Sequence, residues 1–128
     1  MQTAPRYGDV VSEVRNFLGN RLDDCISAGM ARGRLLVDPG FGFGKTLAHN
    51  LALLAGLDEL CSLDHPVLVG LSRKSMIGTL TGRPVDGRLP GSLAAAVLAV
   101  ERGARLVRVH DVSDTVDALR VAWAVHTE

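Results

Sequence analysis

Asp38, Lys74, Arg108 and His110 are the residues whose types and positions could do chemistry. Asp38 closes the apolar run Leu35-Leu36-Val37, and Pro39 then turns the chain into a loop with glycines at 40, 42 and 44 before Lys45 and Thr46. A carboxylate at the end of a strand can accept from a paired N–H edge of a ligand. Glycines at alternate positions would let backbone N–H groups face inward with no Cβ in the way. Arg108 and His110 stand two apart, so on a strand they project from one face while Val107 and Val109 face the other way. A fork of N–H donors beside an imidazole suits a phosphate or pyrophosphate, and Lys74 can add a third donor. An arginine buried in mid-strand needs an anion, and a salt bridge from Arg108 to Asp111 or Asp114 is the structural alternative.

The elements that must position these groups follow from the apolar spacing. From Gly8 to Gly29, Val10, Val11, Val14, Phe17, Leu18, Leu22, Cys25 and Ile26 form the stripe of an amphipathic helix, which Gly29 or Gly33 can end. A first strand is expected over Arg34 to Asp38. Thr46 is an N-cap for a helix with Leu47, Leu51, Leu54 and Leu57 on one face, a pattern that dissolves near Leu63. Asp64-His65-Pro66 breaks the chain, and Val67 to Leu71 reads as a strand buried on both faces. After Ser72-Arg73-Lys74-Ser75 comes a long connection with Gly78, Gly82, Pro84, Gly87, Pro90 and Gly91. An Ala-rich helix is expected over Ser92 to Arg102 with Gly103 as its left-handed stop, then a third strand, Leu106 to His110. A last helix covers Val112 to Val125, with Val112, Val116, Leu119 and Trp123 inward.

The order is α-βα-βα-βα: an α/β fold of three parallel strands and four main helices. Strands near 35, 67 and 106 recur at close to the interval of about 31 residues per unit expected for a (β/α)8 barrel of about 250 residues. Three and a half units cannot close that barrel, so the chain is either a small open three-layer sheet or the C-terminal half of a barrel. In both, Asp38, Lys74, Arg108 and His110 lie at the C-terminal edge of the strands, where parallel folds bind ligands.

Composition narrows the classes. The 128 residues fit one domain, 47% hydrophobic and 22% charged, able to bury a core. Fourteen basic and fourteen acidic residues balance, so no overall field draws the chain to nucleic acid or an acidic membrane. Cys25 and Cys61 have no metal or redox spacing and read as reduced core residues of a cytoplasmic protein. Met1 to Asp9 shows no leader pattern, and no run of 18 apolar residues occurs. His49, His65 and His126 fall on helix or turn surfaces and read as structural.

Three motifs, Asp38-Pro-Gly-Phe-Gly-Phe-Gly-Lys45, Gly70-Leu-Ser-Arg-Lys-Ser75 and Arg108-Val-His-Asp-Val112, resemble the last three strand-end motifs of bacterial dihydropteroate synthase, in the same order and at similar spacing. Met1 to Asp9 also resembles the segment after that family's fifth strand. The resemblance spans essentially the whole chain, residues 1–128 being one partial pterin-binding domain. It implies the C-terminal half of a (β/α)8 barrel that joins 6-hydroxymethyl-7,8-dihydropterin pyrophosphate to para-aminobenzoate. It further implies that Asp38, Gly70, Lys74 and Arg108 contact the pterin and that Arg108, Val109 and His110 hold the pyrophosphate. Phe43, Arg73 and Ser75 would border the para-aminobenzoate end, with Lys74, Arg108 and His110 serving catalysis. Mg²⁺ is implied as cofactor with its ligand in the missing N-terminal half and none in this fragment. Sulfonamides are implied as competitors, and a homodimer as the full-length state. A half-barrel should expose strand edges and apolar interior, favouring association and leaving the isolated chain inactive.

Rival readings part on single residues. Gly40-Phe-Gly-Phe-Gly-Lys-Thr46 ends like a P-loop, but G-x-x-x-x-G-K-T needs glycine where Pro39 stands, and Asp38 would repel phosphate there. Glycines at 40, 42 and 44 do not give G-x-G-x-x-G. A methyltetrahydrofolate-binding barrel shares the shape, but the Ser-Arg-Lys-Ser and Arg-Val-His motifs favour a pyrophosphate-bearing substrate. An inactive fragment serving as an interaction module is the non-enzymatic alternative. Pro39 and the distant Arg108 and His110 thus place the phosphate away from the glycine loop.

Overall fold

A computed structural model describes residues 9–128, so the expectations for Met1 to Gly8 lie outside the described residues. Asp9 caps the first helix, α1 (Val10–Ser27), by accepting from the Ser12 N–H at 3.2 Å. That bond holds the Asp9 carboxyl below its ordinary pKa. Val10, Val11, Val14 and Leu22 are the buried part of its stripe, and Gly29 at φ +103 turns the chain away. Thr46 caps α2 (Leu47–Ala55) by accepting from His49 N–H, and the His49 ring accepts in return from Thr46 N–H. Gly56 follows because a Cβ there would lie 2.9 Å from Val11 of α1. Leu57–Leu63 continues as a 3₁₀ helix.

The sheet is small and parallel. Strand β1 (Leu68–Val69) pairs with β2 (Leu106–Val107) in the register Leu68 to Leu106 and Val69 to Val107. The expected first strand, Arg34 to Asp38, is reduced to one parallel bridge, Val37 to Val67, held by Val37 N–H to Pro66 O and Leu68 N–H to Val37 O. Arg32–Arg34 is a 3₁₀ turn instead. Three parallel strands are therefore a two-stranded sheet plus a bridge. All are shorter than the apolar runs suggest, because a ladder needs a neighbour at every residue and among the described residues the outer segments have one on one side only.

The connection after β1 also departs from expectation. Ser75–Thr81 forms a further helix, α3, and α4 begins at Leu89 rather than Ser92, running to Glu101. Pro90 sits in the first turn of α4, where its missing N–H is not needed. Gly91 lets α4 approach α3, since a Cβ there would collide with Ile77. Gly103 at φ +105 ends α4 as expected, and α5 (Val112–His126) completes five α-helices among the described residues, where four main helices were expected.

Leu53, Leu57, Leu60 and Val69 are wholly buried, joined by Phe41 at 1% exposure, so the first phenylalanine of the glycine loop is a core plug. Phe17 is 56% and Trp123 59% exposed, and Leu51, Val112 and Val116 are also exposed, contrary to their expected inward placement. Cys61 is exposed rather than core, and Cys25 is half-buried. His65 is buried, not superficial, its Nδ1 lying 3.1 Å from Leu35 O. Among the described residues no helix is long and apolar enough to cross a membrane.

Candidate functional site

The strand ends bring the three motifs to one edge. Val37 and Val67 are bridged, and Arg108 N–H donates to Val69 O at 2.9 Å, which fixes the third segment beside the second one residue past β2. Arg108 Nη1 then lies 3.6 Å from Asp38 Oδ2 across the intervening Gly70. A Cβ on Gly70 would come within 2.9 Å of the Arg108 Cζ, so glycine leaves the floor open for the guanidinium. Arg108 is not buried as expected: its side chain is 60% exposed and that of Asp38 34%. Asp111 and Asp114 are not its partners; Asp38 is. An ion pair this open contributes under about 1 kcal/mol, too little to be needed for the fold, and a ligand can replace it.

The glycine loop is closed on itself. Gly40, Gly42 and Gly44 all take positive φ, which glycine tolerates. Gly40 N–H donates to Asp38 Oδ1 at 2.9 Å and Gly42 N–H to Asn50 Oδ1 at 3.0 Å. These two N–H groups do not present an anion cradle, and the glycines shape a turn. Lys45 Nζ donates to Gly40 O at 2.8 Å and Phe43 O at 3.1 Å, latching the loop from below. Burial lowers the Lys45 pKa, while nearby Asp38 acts to raise it. Phe43, unlike Phe41, is 63% exposed, and Lys74 Nζ stands 4.6 Å above its ring.

His110 sits apart from Asp38, its Nδ1 2.9 Å from Ser72 Oγ, which also accepts from His110 N–H at 3.4 Å. Arg73 turns to Asp111, its Nη2 donating to Oδ1 at 3.1 Å. Ser75 opens α3, and its carbonyl accepts from Thr79 Oγ1. Val109 lines an apolar groove of about 660 Å³ with Arg108, Val112 and Trp123. The structure thus gathers Asp38, Gly70 and Arg108 in one contact group, Lys74 with Phe43 in a second, and Ser72 with His110 in a third. Asn50 and Ser72 were missed as supporting residues, Ser72 lying inside a quoted motif, while Asp111, weighed as a partner for Arg108, pairs with Arg73 instead. Among the described residues no three His, Cys, Asp or Glu side chains gather as a metal-binding group.

Comparison with known proteins places this arrangement. The family described as "Pterin binding enzyme" matches residues 1–110. The dihydropteroate synthase of Haemophilus influenzae is 51% identical over 121 residues, covering 94% of this chain, and that of Escherichia coli 52% over 124, covering 97%. The chain spans 44% of the length of each of these relatives. Among solved structures, the Xanthomonas albilineans dihydropteroate synthase in complex with 7,8-dihydropteroate superposes with a TM-score of 0.95 at 55% identity, covering 100% of this chain and 49% of that one. The Yersinia pestis enzyme in a sulfonamide drug complex gives 0.95 at 47% identity, covering 98% and 46%. With the family matched over all three strand-end motifs up to His110, this chain belongs to the pterin-binding enzyme family.

Proposed function

We propose that the chain carries the C-terminal part of a dihydropteroate synthase site, on the last strands of a (β/α)8 barrel, with residues 1–128 as one partial pterin-binding domain. One observation carries the reading: Asp38 and Arg108 meet over Gly70 at a strand-end edge, in a chain 51–52% identical to dihydropteroate synthases. On this reading Asp38 accepts from the amino-pyrimidine edge of the pterin. Lys74 donates to the ring, and Gly70 leaves room for it under Arg108. Phe43, Arg73 and Ser75 border para-aminobenzoate. The aromatic amine attacks the exocyclic carbon, the carbon–oxygen bond to pyrophosphate breaks, and the amine loses a proton. Arg108 and His110, with the Val109 backbone between them, stabilise the charge that develops on the departing pyrophosphate. No nucleophilic side chain is required, so positioning and leaving-group stabilisation supply the catalysis.

The described residues alone do not fit Mg²⁺: Asp38 already serves the Gly40 N–H and Arg108, and among the described residues no three His, Cys, Asp or Glu side chains gather. The reading therefore assigns a Mg²⁺ ligand to the N-terminal half, and no step here runs through the ion. For the full-length enzyme it carries a cytoplasmic homodimer, a transferase activity and competition by sulfonamides on the para-aminobenzoate side.

Titration calorimetry of the chain with pterin pyrophosphate, with inorganic pyrophosphate and with ATP tests the reading. Pterin pyrophosphate binding that inorganic pyrophosphate displaces, and that His110→Ala weakens, is the expected result. Binding of ATP without pterin would revive the P-loop alternative, and binding of none of the three would leave an interaction module.

A further inference from the structure

We propose that Arg88, at the end of the connection from α3, and Ser92, inside α4, are positioning residues that hold Arg73 in a left-handed turn and thereby aim Lys74 at the pocket. The proposal rests on the functional reading above. Arg73 has φ +58, and Asp64, which ends the 3₁₀ helix, is the only other non-glycine residue with positive φ among those described. Such a conformation is unfavourable for a residue with a Cβ and persists where the surroundings over-determine it, most often at functional sites.

The surroundings here act from three sides. Arg73 N–H donates to Ser92 Oγ at 2.9 Å, Arg88 Nη1 donates to Arg73 O at 3.0 Å, and the Arg73 guanidinium reaches Asp111. Ser92 is buried, so its hydroxyl is a fixed acceptor rather than a solvated one. Arg88 is itself anchored, its Nε donating to Arg83 O at 3.1 Å while its guanidinium lies on Gly78. A Cβ on Gly78 would stand 2.5 Å from the Arg88 Cζ. Alanine would favour the helix at that position, and glycine is what admits the guanidinium.

The turn sends adjacent side chains apart. Arg73 goes to Asp111 beside His110, and Lys74 goes to Phe43 and the Gly42 side of the glycine loop. With residue 73 at negative φ, Lys74 would leave the Phe43 ring. Two residues far from any reacting atom therefore govern where the pterin-side lysine stands, while Arg108 and His110 are held by other bonds.

The test uses the 128-residue chain with 6-hydroxymethylpterin and inorganic pyrophosphate as separate probes. Ser92→Ala and Gly78→Ala should each weaken pterin binding about tenfold, the scale of one relaxed backbone strain. Pyrophosphate affinity should stay unchanged, and Ser92→Thr, which keeps the hydroxyl, should bind pterin as the parent does. A second measurement needs no ligand: Lys45 and Lys74 are the only lysines, so their relative acylation can be read by mass spectrometry. Loss of the turn should raise Lys74 labelling relative to Lys45 about twofold or more as Lys74 leaves the Phe43 ring. Gly78→Ala dislodges Arg88 without emptying a buried position, so it decides the matter if Ser92→Ala does not fold. Parental pterin affinity and labelling ratio in the variants, or equal losses for both probes, would overturn the proposal. A parent chain that binds neither probe, with variants that still shift the labelling ratio, would retire the functional reading and leave the clamp standing.

Discussion

The core around α1, α2 and β1 and the outer face of α5 belong to one chain and are finished to different degrees. In the first, Leu53, Leu57, Leu60 and Val69 have no exposed surface and Phe41 closes the gap under the glycine loop. On α5 only Thr115 is buried, while Val112, Val121, Trp123 and Val125 lie open, some of them along the apolar groove. Both have helical periodicity, so the difference does not lie in pattern. It lies in how much of the apolar stripe a second layer covers: α5 packs on α4, but among the described residues nothing covers Val112, Val121, Trp123 and Val125. Asp38 and Lys45 belong to the finished region, Arg108 and His110 to the open one, and the candidate site is the seam between them.

The sharpest way to break this comparison is to truncate one side chain from each region. Leu57→Ala should cost about 2–5 kcal/mol, transfer and cavity terms together. Trp123→Ala should stay within about 0.5 kcal/mol, as expected for an exposed position. Denaturant unfolding of both variants reads the difference, and equal losses would mean that α5 is covered in solution.

That asymmetry also explains what could be read from the sequence. The spans of α1, α2 and α5, the Thr46 cap and the Gly103 stop were legible because periodicity and capping are local. Strand lengths were not, since Leu35, Leu36 and Leu106 to His110 look like strand whether or not a neighbour pairs with them. The helix α3 was hidden by Gly78 and the early start of α4 by Pro90, residues that usually punctuate. Their presence follows from Arg88 over Gly78 and from Pro90 in a first turn, neither visible one-dimensionally. Of the site, the residue types and their common edge were legible. The partner of Arg108, the inward hydrogen bonds of the glycine loop and the exposure of Trp123 were not, because each depends on what packs across the seam.

A second prediction sits on the seam. Gly70→Ala places a methyl against the Arg108 guanidinium and should separate it from Asp38. Overpacking of this kind costs about 1–3 kcal/mol where neighbours cannot move. Arg108 is exposed and can, so the expected stability loss is at the low end, with a larger loss in pterin and pyrophosphate affinity. Unchanged affinity for both would show that Arg108 needs no floor. Smaller again is Thr46→Ala, which removes the cap that accepts from His49 N–H and should cost about 1 kcal/mol in thermal unfolding. A null result there would mean that the loop, latched by Lys45 and Asn50, fixes the start of α2 unaided.

The smallest expected effect concerns Lys45 and distinguishes the finished region by its response to pH. Burial lowers its pKa from the ordinary 10.5, more than Asp38 restores. In the window between the folded value and 10.5 the unfolded chain binds more protons than the folded one, so stability should rise with pH as the ammonium is released. Below that window both states are charged and the cost of burying the ammonium is constant. Lys45→Gln has no proton to lose, so its stability profile across the same alkaline window should lack that rise, even though loss of the bonds to Gly40 O and Phe43 O lowers it overall. Parallel profiles for parent and variant would mean that Lys45 is solvated in solution and the loop is not closed from below.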